Sequence, residues 1–99
     1  MILGDAGREH VNEGLARAGS ADAIQLNASA STDDNAYIGQ TISIRSGTGA
    51  DQARKVIAYT GSTQTAIVDP DWATIPDTTS AYVMLATGMF DEVDLIQNI

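Results

Sequence analysis

The fold is decided by residues 41–68, which read TISIRSGTGADQARKVIAYTGSTQTAIV. Apolar and polar residues alternate in Thr41–Arg45, so that Ile42 and Ile44 share one face, as in a half-buried β-strand. The Ser-Gly-Thr-Gly-Ala stretch that follows contains residues suited to positive φ. The pattern therefore predicts a strand that ends in a turn.

The second half of this stretch predicts a β-hairpin. Ala53–Tyr59 and Gln64–Val68 are rich in strand-forming residues, and Thr60–Thr63 between them is typical of a turn. Because Val56 and Ile57 are adjacent, we expect the first strand of the hairpin to bury parts of both of its faces.

Two further strands are predicted on either side of the hairpin. Before it, Ile24 and Leu26 alternate with polar or small residues from Asp22 onwards. After it, Ser80–Ala86 places two large side chains on one face and three smaller ones on the other. These are Tyr82 and Met84 against Ala81, Val83 and Leu85.

Residues 69–77 are predicted to form a rigid connection before the last strand. They include both prolines of the chain, which fix φ and disfavour helix in the residue before each. We expect Trp72 to fill the core from this connection.

These elements predict an all-β fold, a small single-domain β-barrel or β-sandwich of about five to seven short antiparallel strands. A chain of 99 residues supports one hydrophobic core. We expect an N-terminal arm over residues 1–20, the β domain over 21–87 and a short C-terminal tail over 88–99.

The arm and the tail hold the candidate partner-binding residues. Val11, Leu15 and Ala18 have helical spacing, so the arm is either a weak helix or a segment ordered by contact. The tail is amphipathic and too short to be stable alone, so it packs either on its own domain or on a neighbour. The candidates are the apolar residues Leu3, Val11, Leu15, Phe90, Val93, Leu95 and Ile96.

The charge of the chain argues against a nucleic-acid partner. Five Lys and Arg against thirteen Asp and Glu give a formal net charge of −8, which repels a phosphate backbone. No stretch approaches the roughly 18 apolar residues of a membrane span, and the first residues do not resemble a signal peptide. We therefore expect neither nucleic acid nor a membrane as a partner.

The sequence offers little for catalysis. The one histidine, His10, lies in the glycine-rich arm, whereas catalysis by histidine needs a second group within hydrogen-bonding reach. Ser46–Ala50 lacks the lysine and the following helix of a phosphate-binding P-loop. The absence of cysteine excludes disulfides and thiolate ligands. We expect no enzymatic activity and no cofactor.

Two acidic clusters contain oxygen ligands of the kind that Ca²⁺ prefers. They are Asp69, Asp71 and Asp77, and Asp33, Asp34 and Asn35. Neither has the spacing of an EF-hand loop, and Asp and Asn that bond their own backbone in turns explain both clusters. No metal site is predicted.

An ordered series of residues extends across the predicted β domain. It runs through Ile44–Ala50, Gln52, Arg54, Ile57, Tyr59, Gly61, Thr65–Val68, Trp72, Pro76–Asp77, Ser80 and Tyr82. The series resembles a β module that recurs in structural proteins of tailed bacteriophages, including tail-fibre and other virion proteins. The resemblance covers about residues 22–86. Asp51 departs from the pattern, because related modules often continue with glycine there.

The resemblance implies a non-enzymatic structural protein of a phage virion, made in the host cytoplasm. The first hypothesis is a homo-oligomeric capsid decoration, or cement, protein, with a trimer favoured. It would bind the major capsid protein and stabilise the head lattice, while residues 1–20 reach a neighbouring subunit. The alternative is a tail-fibre, baseplate or adaptor module bound to a tail protein. A third hypothesis is a carbohydrate-binding receptor domain in which Trp72, Tyr37 or Tyr59 stacks on a sugar.

Overall fold

The computed structural model describes residues 11–85, and these form seven β-strands with no helix among them. The strands are β1 (Asn12–Leu15), β2 (Ala18–Ser20), β3 (Ala23–Gln25), β4 (Thr41–Ser46), β5 (Ala53–Thr60), β6 (Thr65–Asp69) and β7 (Ala81–Leu85). They form one antiparallel sheet in the order β1-β7-β4-β5-β6-β3-β2. The predicted all-β class is confirmed, and seven strands lie within the predicted number.

The predicted hairpin forms the middle of the sheet as β5 and β6. Its register pairs Val56 with Val68 and then shifts, so that Ala58 is the next paired residue on β5. This β-bulge leaves Ile57 as an extra residue, and its side chain faces outward while Val56 is buried. The expectation that both residues of the Val56-Ile57 pair contribute to buried faces is therefore wrong for Ile57.

The sheet curls so that its two edges come close together. β1 lies at one edge and β2 at the other, yet only Ala16 and Arg17 separate them in the chain. Three residue steps span at most about 11 Å, so the edges are near each other. The Ala16 N–H donates to Ser80 O, and the Arg17 N–H donates to Gln25 O, each at 2.9 Å. No ladder joins β1 to β2, so backbone pairing does not close the barrel.

The structure of residues 12–20 contradicts the helix that was one of the two predictions for the arm. Their helical spacing of Val11, Leu15 and Ala18 does not produce a helix, and the segment forms β1 and β2. Gly14 has a φ of 150°, far from helical values. This positive φ favours glycine, and a Cβ here would also lie 2.2 Å from Nδ2 of the Asn27 side chain. Pairing with β7 and β3 replaces the hydrogen bonds that a helix would have made.

The core lies inside the curled sheet and consists mainly of side chains from alternate strand positions. Its buried apolar members are Ala16, Ile24, Leu26, Ala30, Tyr37, Ile42, Ile44, Val56, Tyr59, Ala66, Val68, Trp72, Tyr82 and Met84. The predicted alternation in β7 is confirmed, because Tyr82 and Met84 are buried while their neighbours are partly exposed.

Trp72 fills the core from the connection between β6 and β7, as predicted. Its ring is buried, and its Nε1–H donates to Ala23 O at 3.1 Å. The Arg54 guanidinium lies 5.7 Å from the centroid of the Trp72 ring, within the range of a cation–π interaction. Arg54 also donates from Nε to Asp71 O at 3.1 Å. These contacts attach the connection to β3 and β5.

Side chains fill the seam between β1 and the segment that follows β3. The Tyr82 hydroxyl donates to Oδ1 of Asn12 and accepts from the Asn27 N–H at 2.8 Å. The Asn27 side chain donates from Nδ2 to Glu13 O at 2.8 Å. The Arg17 Nε–H donates to Leu26 O at 2.7 Å. These bonds satisfy backbone groups at the edges that no strand ladder reaches.

Gln52 connects the turn after β4 to the connection that precedes β7. Its Nε2 donates to Gly49 O at 2.9 Å and to Thr74 O at 2.8 Å. Its Oε1 accepts from the N–H groups of Ala73 and Thr74 at 2.7 and 2.9 Å. Asp51, where related modules often continue with glycine, has a φ of 75°, in the left-handed region that glycine favours.

Candidate interaction surface

Among the candidate partner-binding residues, the structure describes Val11 and Leu15. Leu15 ends β1 and Val11 precedes it, and their exposed fractions are 56% and 57%. The other candidates lie outside the described residues, as does His10. These are Leu3, Phe90, Val93, Leu95 and Ile96.

The two exposed residues belong to a larger surface formed by β1 and β7. Glu13 pairs with Val83 and Leu15 pairs with Ala81, and directly paired residues point to the same side of a sheet. Since Tyr82 of β7 points into the core, these residues point outward. We call this surface the β1–β7 face. It consists of Val11, Glu13, Leu15, Ala81, Val83 and Leu85.

Both flanking segments join the domain beside this face. Asn12 pairs with Met84, so residues 11 and 85 are neighbours at the same end of the sheet. The two positions at which the chain continues beyond the described residues are therefore neighbours.

A groove of about 460 Å³ crosses the β1–β7 face above β7. β7 lies between β1 and β4, and the short side chains of Ala81 and Val83 contribute to the floor of the groove. The exposed side chains of Glu13 from β1 and Arg45 from β4 line its two sides. We call this feature the β7 groove. It combines an apolar floor with one acidic and one basic wall.

A second exposed apolar surface lies on β5 and its neighbours. The Gly39 N–H donates to Val56 O at 2.9 Å, which places Ile38 and Ile57 next to each other across this hydrogen bond. Their exposed fractions are 47% and 51%. Ile67 of the adjacent strand β6 is partly exposed, because it alternates with buried residues. We call Ile38, Ile57 and Ile67 the isoleucine ridge.

The candidate residues named from the sequence do not include this ridge. The available signal was the Val56-Ile57 pair, since successive side chains of a strand point to opposite faces and one of the two must leave the core. Ile38 gave no such signal, because it lies outside the strands and reaches the ridge only through the hydrogen bond of Gly39.

The aromatic residues named for sugar stacking are all in the core. Tyr37, Tyr59 and Trp72 are buried. Tyr37 and Tyr59 contact each other edge to face, with ring centroids 4.7 Å apart. A ring covered on its faces by the core cannot stack on a sugar, so this part of the carbohydrate hypothesis is wrong.

Acidic side chains from both predicted clusters bond to turns. The Asp77 carboxylate accepts hydrogen bonds from the hydroxyl and the N–H of Thr79, at 2.6 and 2.8 Å. These bonds hold the pKa of Asp77 below its ordinary value. Asp34 accepts from the Gly61 N–H at 2.9 Å. Within residues 11–85, no group of three or more His, Cys, Asp or Glu side chains is arranged to hold a metal ion.

The glycine-rich turn after β4 uses its N–H groups for the fold. The Thr48 N–H donates to the Thr79 hydroxyl at 3.1 Å, and the Ala50 N–H donates to Gly47 O at 3.2 Å. The Asp51 N–H donates to Ile44 O at 2.8 Å. The turn therefore attaches β4 to the residues before β7.

Comparisons with known proteins assign the chain to no family. No family model matches it, and neither a curated protein nor a solved structure does. The resemblance to phage virion modules therefore stays a prediction from the sequence. The part of the chain that the structure describes has no helix of the length and hydropathy needed to span a membrane.

Proposed function

We propose that this chain is a non-enzymatic structural protein of a tailed-phage virion, acting as a homo-oligomeric decoration protein on the capsid. The observation that carries the proposal is the exposed β1–β7 face, beside which both flanking segments join the domain. A partner that covers apolar side chains exposed together removes them from water, which lowers the free energy of the complex. The virion assignment itself is supported by the resemblance over residues 22–86.

The construction of the domain suits a binding role. The β1–β7 face is built on paired strands, and Tyr82, Asn12 and Asn27 hold its edge to the rest of the sheet. A surface on rigid elements binds a partner with little loss of conformational entropy. The acidic side chains of Asp34 and Asp77, in contrast, are engaged in turns of the fold.

Capsids assembled without this protein provide the direct test. Purified protein is expected to bind them saturably, at a fixed ratio to the major capsid protein, and sedimentation of the capsids measures the bound fraction. A full-length chain that does not bind the capsids at micromolar concentrations would contradict the proposal.

A test of the contribution of the arm requires a variant whose chain begins just before β1. Deletion of residues 1–20 would remove β1 and β2, so the informative variant lacks residues 1–10 only. If this segment reaches a neighbouring subunit, its deletion should weaken capsid binding by about tenfold or more, while the thermal unfolding of the domain stays unchanged. Capsid binding of full strength by this variant would show that residues 1–10 do not contact a subunit.

A location in the tail is the competing hypothesis. The same apolar face and flanking segments suit a tail-fibre, baseplate or adaptor module bound to a tail protein. Cryo-electron microscopy of the intact virion separates the two hypotheses by position and copy number. Density at capsid lattice positions supports decoration, and density confined to the tail contradicts it.

A further inference from the structure

We propose that copies of this chain bind one another head to tail, with the isoleucine ridge of one copy in the β7 groove of the next. This inference rests on the self-association that forms part of the proposed function. It identifies the two surfaces that meet and the kind of symmetry that their contact generates.

The two surfaces are a depression with apolar lining and a set of exposed apolar side chains that it can cover. Ile57 lies at the β-bulge of β5, where the extra residue directs its side chain away from the core. The β7 groove is a depression whose floor includes the short side chains of Ala81 and Val83. A branched apolar side chain that projects from one copy can therefore be covered by an apolar floor on another. Covering it removes apolar area from water on both copies.

The charges around the two surfaces are also complementary. Glu13 and Arg45 line the groove. Lys55 precedes the ridge on β5, and it pairs with Asp69 of β6, so one basic and one acidic side chain border the ridge. Each surface thus carries one charge of each sign, so that opposite charges can meet in one orientation of the contact. Exposed charges of this kind contribute little affinity, but they favour one orientation of the contact over others.

The positions of the two surfaces determine the symmetry. The groove lies on β7 and the ridge on β5 and β6, and β4 separates them within the curled sheet. A contact between two different surfaces is heterologous, and every pair still has one free groove and one free ridge. Association therefore continues until a ring closes, or gives an open filament if the rotation does not close. Pairing of two β1–β7 faces with each other would instead be isologous and would stop at two copies.

Three single variants and a matched control test the contact. Ile57→Asp changes the ridge and leaves the groove intact, whereas Ala81→Arg fills the groove with a long side chain and leaves the ridge intact. Ile75→Asp is the control, because Ile75 is exposed to a similar extent but lies in the connection before β7. Ile57→Thr is a milder ridge variant that keeps a β-branched side chain in the strand.

Sedimentation velocity over a range of concentrations measures the association. We expect the wild type and Ile75→Asp to associate alike, and each of the other variants to raise the dissociation constant by about tenfold or more. A mixture of Ile57→Asp with Ala81→Arg has one intact groove and one intact ridge. It should therefore form pairs that contain one copy of each variant and no larger species.

Three results would overturn the inference. The first is a wild type that stays monomeric. This is the result expected if residues 86–99 of the same chain occupied the groove. Sensitivity to Ala81→Arg without sensitivity to Ile57→Asp and Ile57→Thr would indicate an isologous contact. A mixture of the two variants that forms no pairs would also contradict it. Capsid binding of the wild type is measured separately, so failure of this contact and failure of the decoration role are distinguishable.

Discussion

Gly47 shows how a single residue determines the approach of two chain segments. It has a φ of 80°, and a Cβ at this position would lie 1.9 Å from the carbonyl oxygen of Thr79. Gly47→Ala must therefore strain the backbone and displace the residues before β7. We expect it to lower the free energy of unfolding by about 2–4 kcal/mol, measured by chemical denaturation.

Ser46→Ala is the control for this substitution, because Ser46 is an exposed neighbour in the same strand end. It should change the stability by less than about 0.5 kcal/mol. Equal stability of Gly47→Ala and the wild type would show that the turn after β4 can move away from Thr79 at no cost.

Two buried phenols make the stability of the domain depend on alkaline pH. Burial raises the pKa of Tyr59 to about 12 and that of Tyr82 to about 12, from an ordinary value of 10.0. The unfolded chain therefore loses these protons at lower pH than the folded chain. Their contribution to stability is complete below pH 10 and is lost as the pH rises through 12.

Ultraviolet absorbance of phenolate measures this ionisation, and denaturation at several pH values measures the stability. We expect Tyr59→Phe and Tyr82→Phe each to remove part of the absorbance change near pH 12. If both phenols ionised near pH 10 in the folded protein, as free tyrosine does, their burial would not control their pKa.

At the level of elements, Gln52 joins two segments that no ladder connects. Gln52→Glu keeps an acceptor for the N–H groups of Ala73 and Thr74 but removes the donor to Gly49 O and Thr74 O. A carboxylate would also lie beside two carbonyl oxygens. We expect the free energy of unfolding to fall by about 1–3 kcal/mol.

Gln25→Glu provides the comparison, since the Gln25 side chain donates one hydrogen bond, to Thr63 O at 2.9 Å. Its loss of stability in the same denaturation experiment should be smaller. A larger loss for Gln25→Glu than for Gln52→Glu would mean that the connection before β7 is held mainly by other contacts, such as those of Trp72.

Most of the sheet could be predicted because β4 and β7 alternate clearly and turn residues separate the strands of the β5–β6 hairpin. Ile42 and Ile44 of β4 and Tyr82 and Met84 of β7 are buried as their spacing indicates. β1 and β2 could not be predicted in this way. They are short and contain glycine, β2 is exposed at every residue, and the partner of β1, strand β7, lies far away in the sequence.

Only part of the candidate surface could be predicted from the sequence. Val11 and Leu15 stand out in the sequence as apolar residues of a polar segment. The outward positions of Val83 and Leu85 become part of a shared surface only when β1 pairs with β7, and this pairing has no local signal. The isoleucine ridge depends on a bulge and on a loop contact, which alternation does not predict either.

The whole domain should depend on β1 and β2 although they are the least regular strands. A chain that lacks residues 1–10 retains all seven strands that the structure describes and should unfold cooperatively, like the full-length chain. A chain that lacks residues 1–20 loses both edge strands and the partners of Tyr82 and Asn27 at the seam. We expect the shorter chain to be largely unfolded at 25 °C, because a domain of this size is only marginally stable.

Circular dichroism and thermal unfolding of both truncated chains measure this difference. Cooperative unfolding of the chain that lacks residues 1–20, at a temperature close to that of the full-length protein, would show that β3 to β7 fold without the edge strands.

The pairing of β1 with β7 also bears on how the protein is synthesised. β1 emerges from the ribosome early, but its partner strand β7 (Ala81–Leu85) emerges only after all the residues between them. Contacts between residues so distant in sequence form slowly, over milliseconds to seconds in small all-β domains. Until then neither the β1–β7 face nor the β7 groove exists, so a nascent chain cannot engage other subunits through them. Contacts through these two surfaces can therefore begin only after β7 has emerged and paired with β1.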